Sequence, residues 1–554
     1  MVGVLILGIF SQGMVMIRSG LVYDFGMGFW GPNGHDGIWH LALANQTLRG
    51  FPPPQPTFAG YFLTNYHYFY DLFLALINKI TLIPIPFLYF QIFPLLLAFS
   101  LGYLSFLVGW RWRKDFWIGF WLAFFNFFAG SFGYLVTLWR QGQLGGESFF
   151  WSMQSISTQL NPPFALSLVL ILVGLYLLLR IKKWHFWQIL MVAFVWGILI
   201  DVKAYAGIVG LAGLGVFSIL RWFKKQPIYL VIFLLSTVIA ASLFLLINPN
   251  AGSIFVFQPF WFIHSMIESP DRLYLPKIAL ARYFLISYGF GFRLLMIEVL
   301  SLLIFLLGNL GTRIVGLYDL ARRFKKLDEV DGFLITGGIT GLVIPLFFIQ
   351  KGTAWNTIQF FYYFLFFANF YAAAALSYWF RSKKTFNFLI ACIVVILTVP
   401  TTLSTLRDYF GWPPPAAIPK AELEGLSFLR NQKPGIVLTY PYFEQEKKNL
   451  PTPVSLRIYQ TTAYVSALSS KQTFLEDEMN LDIMGVKWRP RRDLEEQFFT
   501  TRNEEWARNF LKENNIKYVY LVDDQKFEVG DFQVGLVKIF ENGEVRIFEF
   551  RDKI

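Results

Sequence analysis

Long apolar runs interrupted by short basic clusters constrain this chain most. The clusters are RWRK at 111–114, RIKK at 180–183, RWFKK at 221–225, the group from 313 to 326, and RSKK at 381–384. An apolar run of about 20 residues can span a bilayer as a helix. Lys and Arg favour the cytoplasmic ends of such spans. With all five clusters inside, the spans become 1–20, 84–109, 116–138, 163–181, 186–200, 204–220, 227–247, 287–310, 332–350, 356–380 and 385–405. This predicts a mainly α-helical polytopic membrane protein with about 11 transmembrane helices. Its amino end is cytoplasmic and its carboxyl end extracytoplasmic, as in a multi-pass protein of the cell (plasma) membrane. Residues 1–17 carry no basic start and no small-residue cleavage site, so they read as the first span rather than a removed signal peptide. Segments 186–200 and 204–220 are short and flanked by basic residues on both sides. A tight hairpin turning near Asp201 and Lys203, or a re-entrant unit, is expected there.

Composition agrees with this reading. The 554 residues are 55% hydrophobic and 15% charged, against about 25% charged in soluble domains. A single cysteine excludes a disulfide framework and any multi-cysteine metal site. The net charge of +12 is unevenly spread: 411–554 holds 20 basic and 22 acidic residues, leaving 28 and 14 in the first 410. The basic excess therefore follows the membrane part and its topology, and no nucleic-acid partner is expected.

The topology divides the chain into a transmembrane domain, 1–410, and an extracytoplasmic soluble domain, 411–554, which holds half of all charged residues. "GWPPPAAIP" at 411–419 reads as a stiff linker. Beyond it, "GIVLTYPY" and "IKYVYLV" read as buried strands, and "LVKIFENGEVRIFEF" as a hairpin turning at Asn542 and Gly543. "NEEWARNFLKENN" reads as an amphipathic helix, so a small α/β domain is expected. Three sizeable outer loops remain, at 21–83, 139–162 and 248–286.

The first loop carries the densest chemistry. In "GHDGIWH", Asp36 and His40 are four apart at the start of an expected helix and share one face, with His35 adjoining. "NYHYFYD" adds His67 and Asp71, also four apart. A carboxylate beside a histidine can act as a general base or contribute to a metal site. The competing reading is that Asp36 caps a helix while the histidines cover an aromatic surface.

An amino-terminal helix, a long outer loop with an early Asp, then "LRGFPPPQPTFAG" and "YHY", resembles the polytopic glycosyltransferases of the GT-C superfamily. These include the protein O-mannosyltransferases, the aminoarabinose transferases and the RgtA/B/C/D-like bacterial families. The resemblance covers 1–410 in topology and about 30–75 in local pattern. It implies a sugar donor on a polyprenyl phosphate, a lipid, glycan or protein acceptor, transfer with inversion, and membrane lipids as surroundings. It also implies an acidic residue in the first outer loop that acts as base or helps to hold a divalent cation, Mg or Mn. By position, Asp36 takes that role, with His40 and His67 in support and Asp36 and His40 as metal ligands. The sequence departs from the pattern in having no Asp-Asp or Asp-Glu pair in this loop.

A phosphate leaving group needs cations near the interface. Lys203, Arg293 and Lys351 are candidates, with Arg282 beside them. The competing readings are snorkelling to headgroups and, for Arg293, a pair with Glu298. Glu147 in the second loop, and Trp355, Asn356 and Gln359 at the start of a span, are candidates for sugar recognition. Glu476, Asp477 and Glu478 read as a solvated acidic face, with acceptor or cation binding as the competing reading. Two other functions fit the same outline: a transporter or flippase for a lipid-linked glycan, and a non-catalytic envelope scaffold. The clustering of polar residues in outer loops, and the lack of an internal repeat, favour the enzyme.

Overall fold

The computed structural model describes residues 1–248, 255–289, 291–444 and 450–552. Residues 249–254 of the expected loop 248–286 lie outside the described residues, as do position 290 of the span expected at 287–310 and residues 445–449 and 553–554 of the expected soluble domain. Among the described residues, eight helices are long and apolar enough to cross a membrane. Helices Phe116–Phe128 and Gly133–Gln141 pass the same test as a pair bent by 46°, and Val2–Ile17 and Phe186–Val202 are shorter apolar helices. These apolar elements coincide with the expected spans to within a few residues at most ends. The chain is a mainly α-helical, multi-pass membrane protein with strands in its carboxyl-terminal region.

By internal contacts it forms two compact units. One comprises Met1–Val15, Pro94–Leu246 and Ala251–Phe410; the other comprises Met16–Phe93, Ile247–Asn250 and Gly411–Ile554. The linear division at 410/411 thus describes only one boundary, because the first loop packs with the tail.

In that second unit the loop and tail share a sheet. Gly26–Phe29 pairs antiparallel with Ala416–Ile418, which pairs parallel with Val454–Ser455. Residues 416–418, expected in a linker, are therefore a buried strand. Gly26 has φ +119, and a Cβ there would lie 2.1 Å from the Ile418 carbonyl oxygen, so the pairing needs glycine. The proline-rich stretch is stitched down in the same way. Thr473 N donates to Pro56 O (2.9 Å), Ala59 N to Thr473 O (3.0 Å) and Arg491 Nη2 to Ala59 O (2.7 Å). The second sheet has the order Ile436–Leu438, Ile516–Val522, Val545–Phe550, Leu536–Glu541; its strands fall in the segments that the tail's sequence pattern predicts. Asn503 caps helix Glu504–Glu513 through Trp506 N.

The membrane unit is organised around helix Gln359–Phe380. It is apolar on every side and is accordingly buried. Phe116–Phe128, Glu329–Phe347 and Gly316–Arg323 pack against it. Its alanine run admits Gly316, where an added Cβ would meet Ala372 N at 2.9 Å. Two helices break near its midpoint, after Phe128 and at Gly311, which has φ +53.

Arg313 sits at both breaks. The sequence groups it with a surface basic cluster, but it is only 2% exposed. Its Nε donates to Asn369 Oδ1 (2.8 Å), Nη1 to Gln154 Oε1 (2.8 Å), and Nη2 to Ala129 O (3.0 Å) and Ser155 Oγ (3.1 Å). The guanidinium thus satisfies a carbonyl freed where a helix stops, which lipid could not do. Arg313→Ala orphans Asn369 Oδ1 and Gln154 Oε1. At ~1–3 kcal/mol for each buried group left unmet, the variant is expected to unfold several degrees below wild type in detergent. Arg313→Lys, lacking the planar fork, should recover only part of the loss. An unchanged midpoint for both variants would refute this role.

Candidate functional site

In the unit that holds the first loop, the 3₁₀ turn Gly31–Gly34 delivers His35 to the start of helix Asp36–Gln46. His35, not Asp36, is the N-cap residue, and its side chain makes no capping bond. Asp36 instead lies in the first turn, where a carboxylate suits the helix dipole. His35 Nδ1 is 2.8 Å from Asp36 Oδ1, and its Nε2 is 3.3 Å from Asp477 Oδ1. The Asp36 side chain is 49% exposed and that of Asp477 is 0% exposed. The three residues form a line from a buried carboxylate, through an imidazole, to an accessible carboxylate.

Asp477 was expected on a solvated face. It is instead held in the left-handed region (φ +52) at the head of helix Glu478–Ile483. Its Oδ2 accepts from Asn480 Nδ2 (2.8 Å) and its Oδ1 from Asn480 N (3.3 Å). Burial lowers the proton affinity of His35, but the charge of Asp477 and the hydrogen bonds to both carboxylates outweigh it. The ring is pushed up to about 10 and is charged at neutral pH. A cavity of about 590 Å³ adjoins Asp477, lined by Glu476, Glu478, Glu495, Arg457 and Arg492 among others. Burial pushes Glu476 up to about 8, despite the amides of Val465 and Ser466 that donate to it. Short-range pattern gave no signal for Asp477, because its partner lies more than 400 residues away in the chain.

His40 and His67 occupy different surroundings. His40 Nδ1 is 2.8 Å from Asp71 Oδ1, with both side chains buried. Its ring stacks on Tyr89 and meets Tyr66 and Tyr70. This pair fastens helix Asp36–Gln46 to helix Phe69–Thr81. The ring of His67 stacks on Tyr66 at 4.7 Å. Asp36 and His40, expected together as metal ligands, thus have separate partners, His35 and Asp71. Among the described residues no three His, Cys, Asp or Glu side chains form a group able to hold a metal ion. This donor set does not by itself fit a divalent cation.

The remaining candidates lie in the membrane unit. Lys203 stands in an extended position between Leu199–Val202 and Ala204–Phe223, with Nζ 3.4 Å from Asn161 Oδ1 and 5.7 Å from the Tyr205 ring. Tyr205 Oη donates to Gln350 Oε1 (3.3 Å), which also accepts from Asn356 Nδ2 (3.0 Å); Gln359 donates to Asn356. A chain of hydrogen bonds therefore joins Tyr205, Gln350, Asn356 and Gln359, and Lys203 meets it at the face of the Tyr205 ring; Tyr205 and Gln350 are two residues the sequence pattern did not single out. Lys351 is exposed, and the Trp355 ring is partly so. Arg293 is exposed at the start of helix Phe292–Leu310. Glu298 pairs with His264 (2.8 Å) and Arg282 (2.7 Å), not with Arg293. Glu147 accepts from Gln154 N (2.9 Å) and Thr405 Oγ1 (2.8 Å), and burial raises its carboxyl.

No protein-family model matches the sequence, and no curated protein matches it. Solved structures do. The oligosaccharyltransferase AglB from Archaeoglobus fulgidus, in complex with an inhibitory peptide and a dolichol-phosphate, aligns at TM-score 0.50 and 13% identity, over 94% of this chain and 69% of that one. The same archaeon's oligosaccharyltransferase with Zn and sulfate gives TM-score 0.49 and 17% identity, over 93% and 67%. ArnT from Cupriavidus metallidurans, bound to undecaprenyl phosphate, gives 0.41 and 10%, over 99% and 97%. At 13% identity, the likeness to AglB shows a shared fold.

The raised pKa of His35 makes stability depend on pH. Its contribution is fully present below the unfolded value near 6.5 and is lost as pH rises through about 10. Wild type should therefore lose its stability margin over His35→Gln between neutral pH and pH ~10, by at most ~1.4 kcal/mol per pH unit. Parallel unfolding curves of the two proteins across that range would show that His35 does not carry the charge.

Proposed function

We propose that this chain is a membrane glycosyltransferase that moves a sugar from a polyprenyl-phosphate donor to a lipid, glycan or protein acceptor, with inversion. The first loop and the carboxyl-terminal segment face the extracytoplasmic side of the cell membrane, and the amino end is cytoplasmic. The observation that carries the reading is Asp36. It is an accessible carboxylate at the head of the first-loop helix, held from behind by a charged histidine whose other nitrogen faces a buried aspartate.

Asp36 takes the proton of the acceptor hydroxyl while that oxygen forms its bond to the anomeric carbon. The bond between that carbon and the phosphate oxygen breaks, and polyprenyl phosphate leaves. Attack from the side opposite the leaving group inverts the centre. His35 is a positioning residue. With both ring nitrogens engaged, it fixes the orientation of the Asp36 carboxylate, and such orientation is worth much in a reaction of this kind. His40, paired with Asp71, and His67, stacked on Tyr66, shape the loop around it.

In the membrane unit, Lys203, Arg293 and Lys351 are the cations assigned to phosphate, since fixed positive charge stabilises a leaving phosphate. Glu147, Trp355, Asn356 and Gln359 are assigned to sugar hydroxyls and ring faces. Lys203 ranks first of the cations, because it lies by the ring of Tyr205, whose hydroxyl begins the hydrogen-bond chain to Asn356 and Gln359.

The test is transfer by the purified protein from a panel of polyprenyl-phosphate sugars, each with and without Mg or Mn. Asp36→Asn should lower transfer by about 100-fold or more, with membrane insertion unchanged. Full activity in that variant would remove Asp36 from the chemistry. Accumulation of a lipid-linked glycan in sealed vesicles without covalent product would replace the transferase with a transporter.

A further inference from the structure

Three of the basic clusters that punctuate the sequence converge on one cavity of the membrane unit. Arg113 ends helix Phe93–Arg113, Arg322 and Arg323 end helix Gly316–Arg323, and Arg381 follows helix Gln359–Phe380. With Asp115 and Asp319 they line about 680 Å³ of space. Topology alone accounts for basic residues at these helix ends. It does not account for how the charges are satisfied.

The carboxylates are already engaged. Asp319 accepts from Arg113 Nη1 (2.5 Å) and Arg322 Nη2 (3.2 Å), and Asp115 from Arg381 Nη1 (2.8 Å), Ser377 Oγ (3.2 Å) and Trp117 N (2.9 Å). Asp331, just behind, takes Arg113 Nη2 (3.2 Å). Three of the four guanidinium groups thus meet three carboxylates. Arg323 is not among the partners of those three, and Arg322 lies over the Tyr378 ring at 4.0 Å. Among the described residues, the Nε–H of Arg113 and that of Arg323 are buried without an acceptor. A buried donor left unmet is unfavourable, and guanidinium groups match phosphate oxygens closely.

We propose that this cavity holds the phosphate of an anionic phospholipid, with Arg323 as its main donor and Arg113 and Arg381 beside it. The ligand chemistry is a phosphate with net negative charge. The lipid is favoured as its source because the cavity lies at the basic ends of membrane helices, where anionic headgroups concentrate. None of these residues takes part in the transfer chemistry proposed above, so the two readings fail separately.

The experiment compares unfolding midpoints of the full chain in neutral detergent with phosphatidylglycerol, with phosphatidylcholine, or with inorganic phosphate. Phosphatidylglycerol should raise the midpoint progressively with concentration, as ligand binding to the native state does, and phosphatidylcholine should not. Arg323→Gln should reduce the phosphatidylglycerol shift to less than about half of wild type; Arg381→Gln serves if that variant does not fold. Equal shifts with both lipids, or an undiminished shift in the variant, overturn the proposal. An equal shift with inorganic phosphate alone overturns the lipid as the source.

Discussion

Inside a bilayer every backbone polar group needs a partner from the protein, and a helix that stops there leaves carbonyls without one. The membrane unit contains two such stops, after Phe128 and at Gly311. Arg313 serves both. It reaches the carbonyl of Ala129 across from its own 3₁₀ turn, and it gathers Gln154, Ser155 and Asn369 from two other segments. The oxygens that accept from it are neutral. The charge is thereby spread over carbonyl, amide and hydroxyl dipoles rather than cancelled by a carboxylate, which an ion pair would require to be desolvated as well. This one side chain thus bonds at the bend of the Phe116–Gln141 pair from the 3₁₀ turn inside Phe292–Lys326.

The other unit rests on a comparable device of opposite polarity. Asp477 is fully buried and His35 nearly so, and each is tolerable only because the other is there. The imidazolium then offers its second nitrogen to Asp36, the one member of the line that water reaches. An arrangement with a buried anchor and an accessible end suits a carboxylate that must keep one orientation while meeting a changing partner. The His40–Asp71 pair lacks such an end: both members are buried, and tyrosines enclose the ring. Two His–Asp pairs in one loop therefore serve different purposes, and exposure separates them where residue type does not.

What the sequence made legible follows from the range of the interactions. The spans were readable because hydropathy is a local property summed over about 20 residues. So were the strands and helix of the tail, whose alternation and capping residues act within a few positions. Asp36 and His40 could be placed on one helix for the same reason. Asp477, Tyr205, Gln350 and the depth of Arg313 could not, since their partners come from distant parts of the chain. Residues 411–419 mislead in an instructive way: proline predicts stiffness, but the strand at Ala416–Ile418 forms only because Gly26–Phe29 is there to pair with it.

The basic clusters show the same limit from another side. A sequence reading treats each cluster as one vote on sidedness, so all five count alike. Their surroundings divide them. Arg313 is consumed by helix breaks, and Arg221 and Lys224 are matched by Glu329. Arg113, Arg322 and Arg381 share three carboxylates, and Arg113 and Arg323 each keep a buried Nε–H unmet. A rule that needs only the sign of a charge cannot distinguish these cases. The number of acceptors each guanidinium finds can, and in the last group two guanidinium groups keep a buried Nε–H unmet beside a cavity.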